Sequence, residues 1–300
     1  MHLRRVIARI FDRMARIIDR LAETIRSVVP KIWPPHGYGA LENSERTHAL
    51  NPNELNILLS ENKPQYGEAE VHGGSSCCVV SARFTESYGY QHLIFPVRDS
   101  HIPHYFFSNQ ASILRRASEV GWQPIALNFN NMDTKYSFLL QGKIVKILPH
   151  RLQPINKHEF VLWVDDKLPP LVDGIYDEIE SLTQADAVAG FCHHPFLRDN
   201  LLLELHLSLQ QERFRTRIDE FADYIASKTD SGYLVSGHRL LAGGVFLANM
   251  RHSRFPAFAE RWFSDVLETG LKDQIPLYFL TQEFPCYEIP RGFMGRSSVY

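Results

Sequence analysis

The stretch Phe160-Val161-Leu162-Trp163-Val164-Asp165-Asp166-Lys167 runs five apolar residues into two carboxylates and a lysine. An uninterrupted apolar run of that length predicts a strand buried on both faces, as in a parallel sheet covered by helices on each side. The two acids then fall at the strand's C-terminal end. In open α/β sheets ligands bind outside those ends, and paired carboxylates there can hold a hard divalent cation that in turn binds phosphate. The stretch points to phosphate-bearing chemistry.

Upstream of it, Cys77 to Ala82, His104 to Phe107 and Pro124 to Asn128 read as further strands, with helices over Ala111 to Val120 and Ser137 to Leu148. Strands alternating with helices predict an α/β fold, its sheet mixed and mostly parallel with flanking helices. Downstream, Leu201 to Ala226 carries one long helical pattern, Gly243 to Ala248 a short strand entered through two glycines, and Phe255 to Glu268 an amphipathic helix. Asp273 follows the helix-stopping Gly270 and falls at or near the start of a last helix.

At the N-terminal end, Leu3 to Val29 repeats apolar residues along one helical stripe and sets Arg4, Arg5, Arg9, Arg13, Arg16 and Arg20 among the other positions. Such a basic amphipathic helix (1–31) can lie on an anionic membrane surface, form a self-association arm, or fold back onto the domain. Pro-Pro-His-Gly, Asn-Pro-Asn and Lys-Pro mark 32–74 as a linker, with the main domain spanning 75–300.

Three hundred residues, 44% of them hydrophobic and 12% aromatic, suffice for a packed core, and a net charge of −2 argues against a nucleic-acid binder. Cys77, Cys78, Cys192 and Cys286 have neither zinc-site spacing nor the density of a disulfide framework, which fits a reducing compartment. No stretch approaches a spanning helix or a signal peptide. The expected location is the cytoplasm, peripheral to the inner face of the membrane.

Taken in order, Gly121-Trp122, Lys143-Ile144, Trp163-Val-Asp165, His194-Pro195 with Arg198, Gly243-Gly244-Val-Phe and Asp273-Gln274 resemble the nucleotide-sugar glycosyltransferases of the GT-A fold. They come nearest to a glycosyltransferase-like family of bacterial and plant proteins with the pattern Trp-hydrophobic-Asp, His-Pro-x-Arg, Asp-Gln. The likeness covers about residues 77 to 285. It implies that Asp165 and Asp166 hold Mn²⁺ or Mg²⁺ against the donor diphosphate, although Lys167 departs from the common Asp-x-Asp form. It also implies that Lys143, Arg198, Gly243, Gly244 and Gln274 contact the donor, and that His194 and Asp273 serve catalysis. The acceptor would be a glycan or a lipid-linked precursor, as in envelope or capsule polysaccharide synthesis.

Each residue type also has an ordinary use. Asp165 and Asp166 can be a solvated turn, His194 a satisfied core histidine, Arg198 the helix-surface partner of Asp199 or Glu204, and Lys143 an exposed helix lysine. The two glycines can simply bend a strand. Asp273 can activate the acceptor hydroxyl, orient the sugar, or cap its helix, while Tyr88 and Tyr90 can stack on a ligand or merely shape a turn. A phosphatase of the haloacid dehalogenase type needs Asp-x-Asp-x-Thr or Val, which Val164-Asp-Asp-Lys-Leu168 lacks. A serine hydrolase needs Gly-x-Ser-x-Gly, which is also missing. The rival from another class is a catalytically silent sugar- or nucleotide-binding protein tethered by its N-terminal helix.

Overall fold

The computed structural model describes residues 76–85, 94–97, 101–127, 138–170, 172–194 and 199–290. The basic segment Leu3 to Val29, the linker, Tyr88, Tyr90 and Arg198 lie outside them. Four strands come first: β1 (Cys77–Arg83), β2 (His104–Ser108), β3 (Gln123–Ala126) and β4 (Phe160–Val164). Between them run α1 (Ala111–Glu119) and α2 (Phe138–Ile147). α2 stops two residues short of Pro149, since a proline restricts the residue before it and has no amide to give a helix.

The second half supplies α3 (Ile175–Gln184), β5 (Ala189–His193), α4 (Leu201–Ser208), α5 (Glu212–Arg215) and α6 (Ile218–Asp230). β6 (Leu241–Asn249), α7 (Phe255–Glu268), α8 (Gln274–Leu280) and β7 (Cys286–Ile289) complete it. Leu201 to Ala226 is therefore not one helix. Its breaks carry no glycine or proline and let Leu209 and Phe214 turn inward against Ile275, Tyr278 and Phe279 of α8. Ser208, bonded back to the Glu204 carbonyl at 2.8 Å, marks the first break, a contact that tends to bend helices.

The seven strands lie in the order β3-β2-β1-β4-β6-β5-β7, with β6 antiparallel to both of its neighbours and every other pair parallel. This is the α/β class, with a mixed and mostly parallel sheet flanked by helices, that the sequence predicts. Alternation along the strands divides the core. Cys78, Val80, Val161 and Trp163 pack with α2 and α7, whereas Cys77, Val79, Phe160, Leu162 and Val164 pack with α1 and α3.

The order of the strands also creates a reversal. The chain steps outward from β1 to β2 and β3, then returns to lay β4 on the other side of β1. The crevice expected at such a switch point lies outside the C-terminal ends of β1 and β4.

Candidate active site

Val80 of β1 stands opposite Trp163 of β4, so Arg83 and Asp166, each three residues further on, end level with one another. Their side chains form an ion pair. Asp165 is held from three directions. Its amide donates to the Gly244 carbonyl at 2.8 Å, its Oδ1 accepts from Trp163 Nε1 at 2.8 Å, and Lys146 Nζ stands 3.6 Å from the same oxygen. Lys167 Nζ lies 3.9 Å from Oδ2.

β6 reaches this point through a bulge. Phe246 pairs with Phe191, but Ala242 already pairs with Cys192, so Gly243, Gly244 and Val245 have no partner in β5. Irregularity of this kind releases backbone from the ladder and re-aims it, commonly beside an active site. Gln274 fastens the gap. Its Oε1 accepts from the Gly243 amide at 3.1 Å and its Nε2 donates to the Leu241 carbonyl. Both ends of that amide are thus engaged by β6, and Gln274 braces the bulge. A Cβ at Gly243 would sit 3.5 Å from Lys146 Nζ and 3.7 Å from an Asp273 oxygen, so any longer side chain would grow over that pair.

Asp273 arrives on a forced turn. Gly270 and Leu271 both take positive φ, at 56° and 71°, and a Cβ at Gly270 would lie 2.5 Å from Arg217 Cδ. Left-handed backbone is costly for leucine, and such strain clusters at functional sites. The turn sets Asp273 at the N-cap of α8, yet its side chain makes no capping bond there. It goes to two lysines instead: Lys146 Nζ at 2.6 Å and Lys143 Nζ at 2.8 Å, both on Oδ2. The two lysines are one turn apart on α2 and so share a face.

Only 6% of the Lys146 side chain and 12% of that of Asp273 remain exposed. Burial by itself would raise the Asp273 pKa, but the charges of Lys143, Lys146 and Lys272 outweigh it and hold the carboxyl well below the usual range. Burial, aided by Lys146, brings Lys143 down to about 8 against the pull of Asp273 and Asp165. In Lys146 the two carboxylates overcome burial and raise the pKa.

His194 lines the same cleft; its amide donates to the Leu240 carbonyl at 2.9 Å and its Nε2 lies 3.7 Å from Glu204. Glu204 is buried on α4 and binds Lys272 Nζ at 2.7 Å. Burial lowers the His194 pKa, with Glu204 opposing and Lys272 assisting.

These groups line one cleft of about 940 Å³. It brings together Lys143, Asp165, Asp166, His194, Gly243, Gly244, Asp273 and Gln274, all singled out in the sequence. Arg83, Lys146, Glu204 and Lys272 are additions. Two of them left a trace, since Lys146 interrupts the apolar run Ile144-Val145-Lys146-Ile147 and Glu204 interrupts a run of leucines. Six lysines and arginines line the cleft against four carboxylates, a local excess of positive charge on a chain whose net charge is −2.

That donor set does not fit a divalent cation. Mg²⁺ and Mn²⁺ favour carboxylate oxygens that no cation of the chain already faces, but Asp165 Oδ1 accepts from Trp163 and faces Lys146, its Oδ2 faces Lys167, and Asp166 Oδ2 is paired with Arg83. Among the described residues no three His, Cys, Asp or Glu side chains are grouped as a metal site.

No protein-family model matches the chain, and no curated protein matches it by sequence. In structure it is similar to mouse xyloside xylosyltransferase 1 in its apo form, at 11% identity over 71% of this chain and 84% of that one, with a TM-score of 0.44. It is also similar to the mannosyltransferase Ktr4p from S. cerevisiae, at 9% identity over 86% of this chain and 81% of that one, with a TM-score of 0.35. The complex of Ktr4p with GDP gives 10% identity, coverages of 89% and 82%, and a TM-score of 0.34.

Proposed function

We propose that the chain is a GT-A-like glycosyltransferase moving a sugar from a nucleotide-sugar donor to a hydroxyl acceptor. The observation that carries this reading is the surplus of buried and half-buried lysine at the switch point of an α/β sheet, a place and a charge suited to a diphosphate. The acceptor oxygen attacks the anomeric carbon while the bond from that carbon to the phosphate oxygen breaks, its electron pair leaving with the nucleoside diphosphate. Ammonium groups already in place stabilise the charge that develops there.

The hydroxyl proton goes to His194. A lowered pKa keeps its imidazole neutral near pH 7, and Glu204 steadies the imidazolium once formed. Asp273, ionised well below neutral pH and shared by two lysines, is a weak base and acts by orienting them. The finer reading, that the acceptor is an envelope or capsule glycan or a lipid-linked precursor met at a membrane, draws its support from the basic segment Leu3 to Val29.

The test is to incubate the full-length protein with UDP-, GDP-, CDP- and dTDP-sugars and measure the nucleoside diphosphate released. One donor class should turn over, and His194→Ala should slow release by about 100-fold. Donors that bind without any turnover would make the chain a silent sugar-nucleotide binder. Failure of every donor to bind would remove the reading altogether.

A further inference from the structure

Because the carboxylates at the end of β4 are occupied by cations of the chain itself, the cleft has to be asked what balances a diphosphate. A nucleotide sugar carries one negative charge on each phosphate, and the cleft lining carries two more basic than acidic side chains. We infer that this chain binds the diphosphate of its donor without a divalent cation, with Lys143, Lys146 and Lys272 supplying the positive charge that balances it. The inference rests on the glycosyl-transfer reading and deepens it.

Three observations support it. First, the lysines converge from separate elements. Lys143 and Lys146 project from one face of α2 while Lys272 precedes α8, and all three surround the carboxylate of Asp273 or its neighbour Glu204. Keeping ammonium groups that far from water is costly, so a place of this kind persists where the charge is used or closely paired.

Second, the carboxylates are placed as counter-ions. Asp273 bridges two lysines through a single oxygen, Glu204 holds Lys272, Asp166 holds Arg83, and Asp165 lies beside Lys146 and Lys167. A cation entering at Asp165 Oδ1 would meet the Lys146 ammonium 3.6 Å from that oxygen. Third, the backbone leaves room for an anion there. At Gly243 nothing projects over Lys146 and Asp273, and the bulge turns Gly243 and Gly244 out of the β5 ladder beside them.

Asp165 and Asp166 then become positioning residues: Asp165 keeps Lys146 charged and directed into the cleft, and Asp166 holds the Arg83 side chain in place. Lys167, which breaks the Asp-x-Asp pattern, becomes part of the site's charge instead of a defect in it. The leaving diphosphate is neutralised by groups that belong to the fold and stay behind when it departs.

The experiment is calorimetric titration of the full-length protein with UDP, GDP, CDP and dTDP, each in EDTA and again in Mn²⁺ or Mg²⁺. Expected is binding of at least one nucleotide in EDTA, with an affinity within about threefold of that measured with the metal. Lys146→Met and Lys272→Met should each weaken it by about tenfold or more. Lys272 stands nearer the cleft's rim, at 19% exposure, so that variant serves should Lys146→Met fail to fold. Asp165→Asn should change nucleotide binding in EDTA by no more than about tenfold, since Asp273 also holds Lys146, whereas loss of a metal ligand would abolish the binding measured with Mn²⁺ or Mg²⁺. Binding that requires Mn²⁺ or Mg²⁺, or that vanishes in Asp165→Asn, overturns the inference and leaves glycosyl transfer standing. Absence of binding by any nucleotide with and without metal sinks both.

Discussion

Asp273 stands where a helix-capping acid would stand and does not cap. Its carboxylate is drawn back to α2, 127 residues away, where two ammonium groups share one of its oxygens. Substitution to asparagine should therefore act on chemistry more than on affinity. We expect Asp273→Asn to bind nucleoside diphosphate as tightly as the parent or more so, while kcat falls by about 100-fold. Calorimetry beside steady-state kinetics reads both, and a parallel loss of affinity would mark Asp273 as a direct donor contact. The same change breaks a buried pair, which typically costs about 3–5 kcal/mol, so its unfolding temperature should fall. Lys143 sets a pH dependence. With its pKa brought down to about 8 by burial and Lys146, it gives up its proton in the free protein within an accessible range. A bound diphosphate restores that charge, so binding takes up a proton and weakens as pH rises past 8, by about tenfold per unit for one linked group. Lys143→Met should flatten the profile; a flat profile in the parent would place Lys143 away from the ligand.

At the level of elements, the bulge in β6 and the brace across it decide how firmly the cleft floor is built. Gln274→Ala leaves the Gly243 amide and the Leu241 carbonyl without their side-chain partner. We expect a loss of about 1–3 kcal/mol, read as a lower midpoint in thermal unfolding. An unchanged midpoint would mean that the bulge holds itself. What the sequence disclosed here divides along the same line. β1, β2, β4, α1, α2 and α7 were legible because their apolar patterns are strong and local. β5 and β7 were not: Ala189-Gly-Phe-Cys-His193 and Cys286-Tyr-Glu-Ile289 are short, carry polar residues or glycine, and become strands through pairing with each other and with β6. α3 went unread as well. Asp165, Asp273, Lys143 and the two glycines stood in a recognisable order, whereas Lys146, Lys272, Glu204 and Arg83 acquire meaning only when α2, α4, α8 and β1 meet. Gln274 was found by that order, but its use as a brace could not be seen before the bulge was.

Across the whole molecule the charge is unevenly spread, with basic residues gathered in the cleft and along Leu3 to Val29 of a chain that is slightly acidic overall. We expect the full-length protein to float with anionic vesicles at low salt and to be released by charge reversal at Arg9, Arg13 and Arg16, each basic residue contributing about 1 kcal/mol near such a surface. A chain starting at Ser75 should stay folded and bind nucleotide without floating. An intact protein that ignores vesicles but becomes monomeric on losing residues 1–30 would identify the segment as a subunit contact. The place of β6 has a different consequence, one that concerns synthesis. β5 and β7 reach the rest of the sheet only through β6, which itself completes the pairing of β4. While the chain is still emerging from a ribosome, Phe160–Val164 can join β1 early but keeps one flank open until Asn249 is out. An apolar strand with an open flank invites wrong partners. The strand that delivers Asp165 and Asp166 is thus open on one side during synthesis, and the wait ends when its antiparallel neighbour arrives.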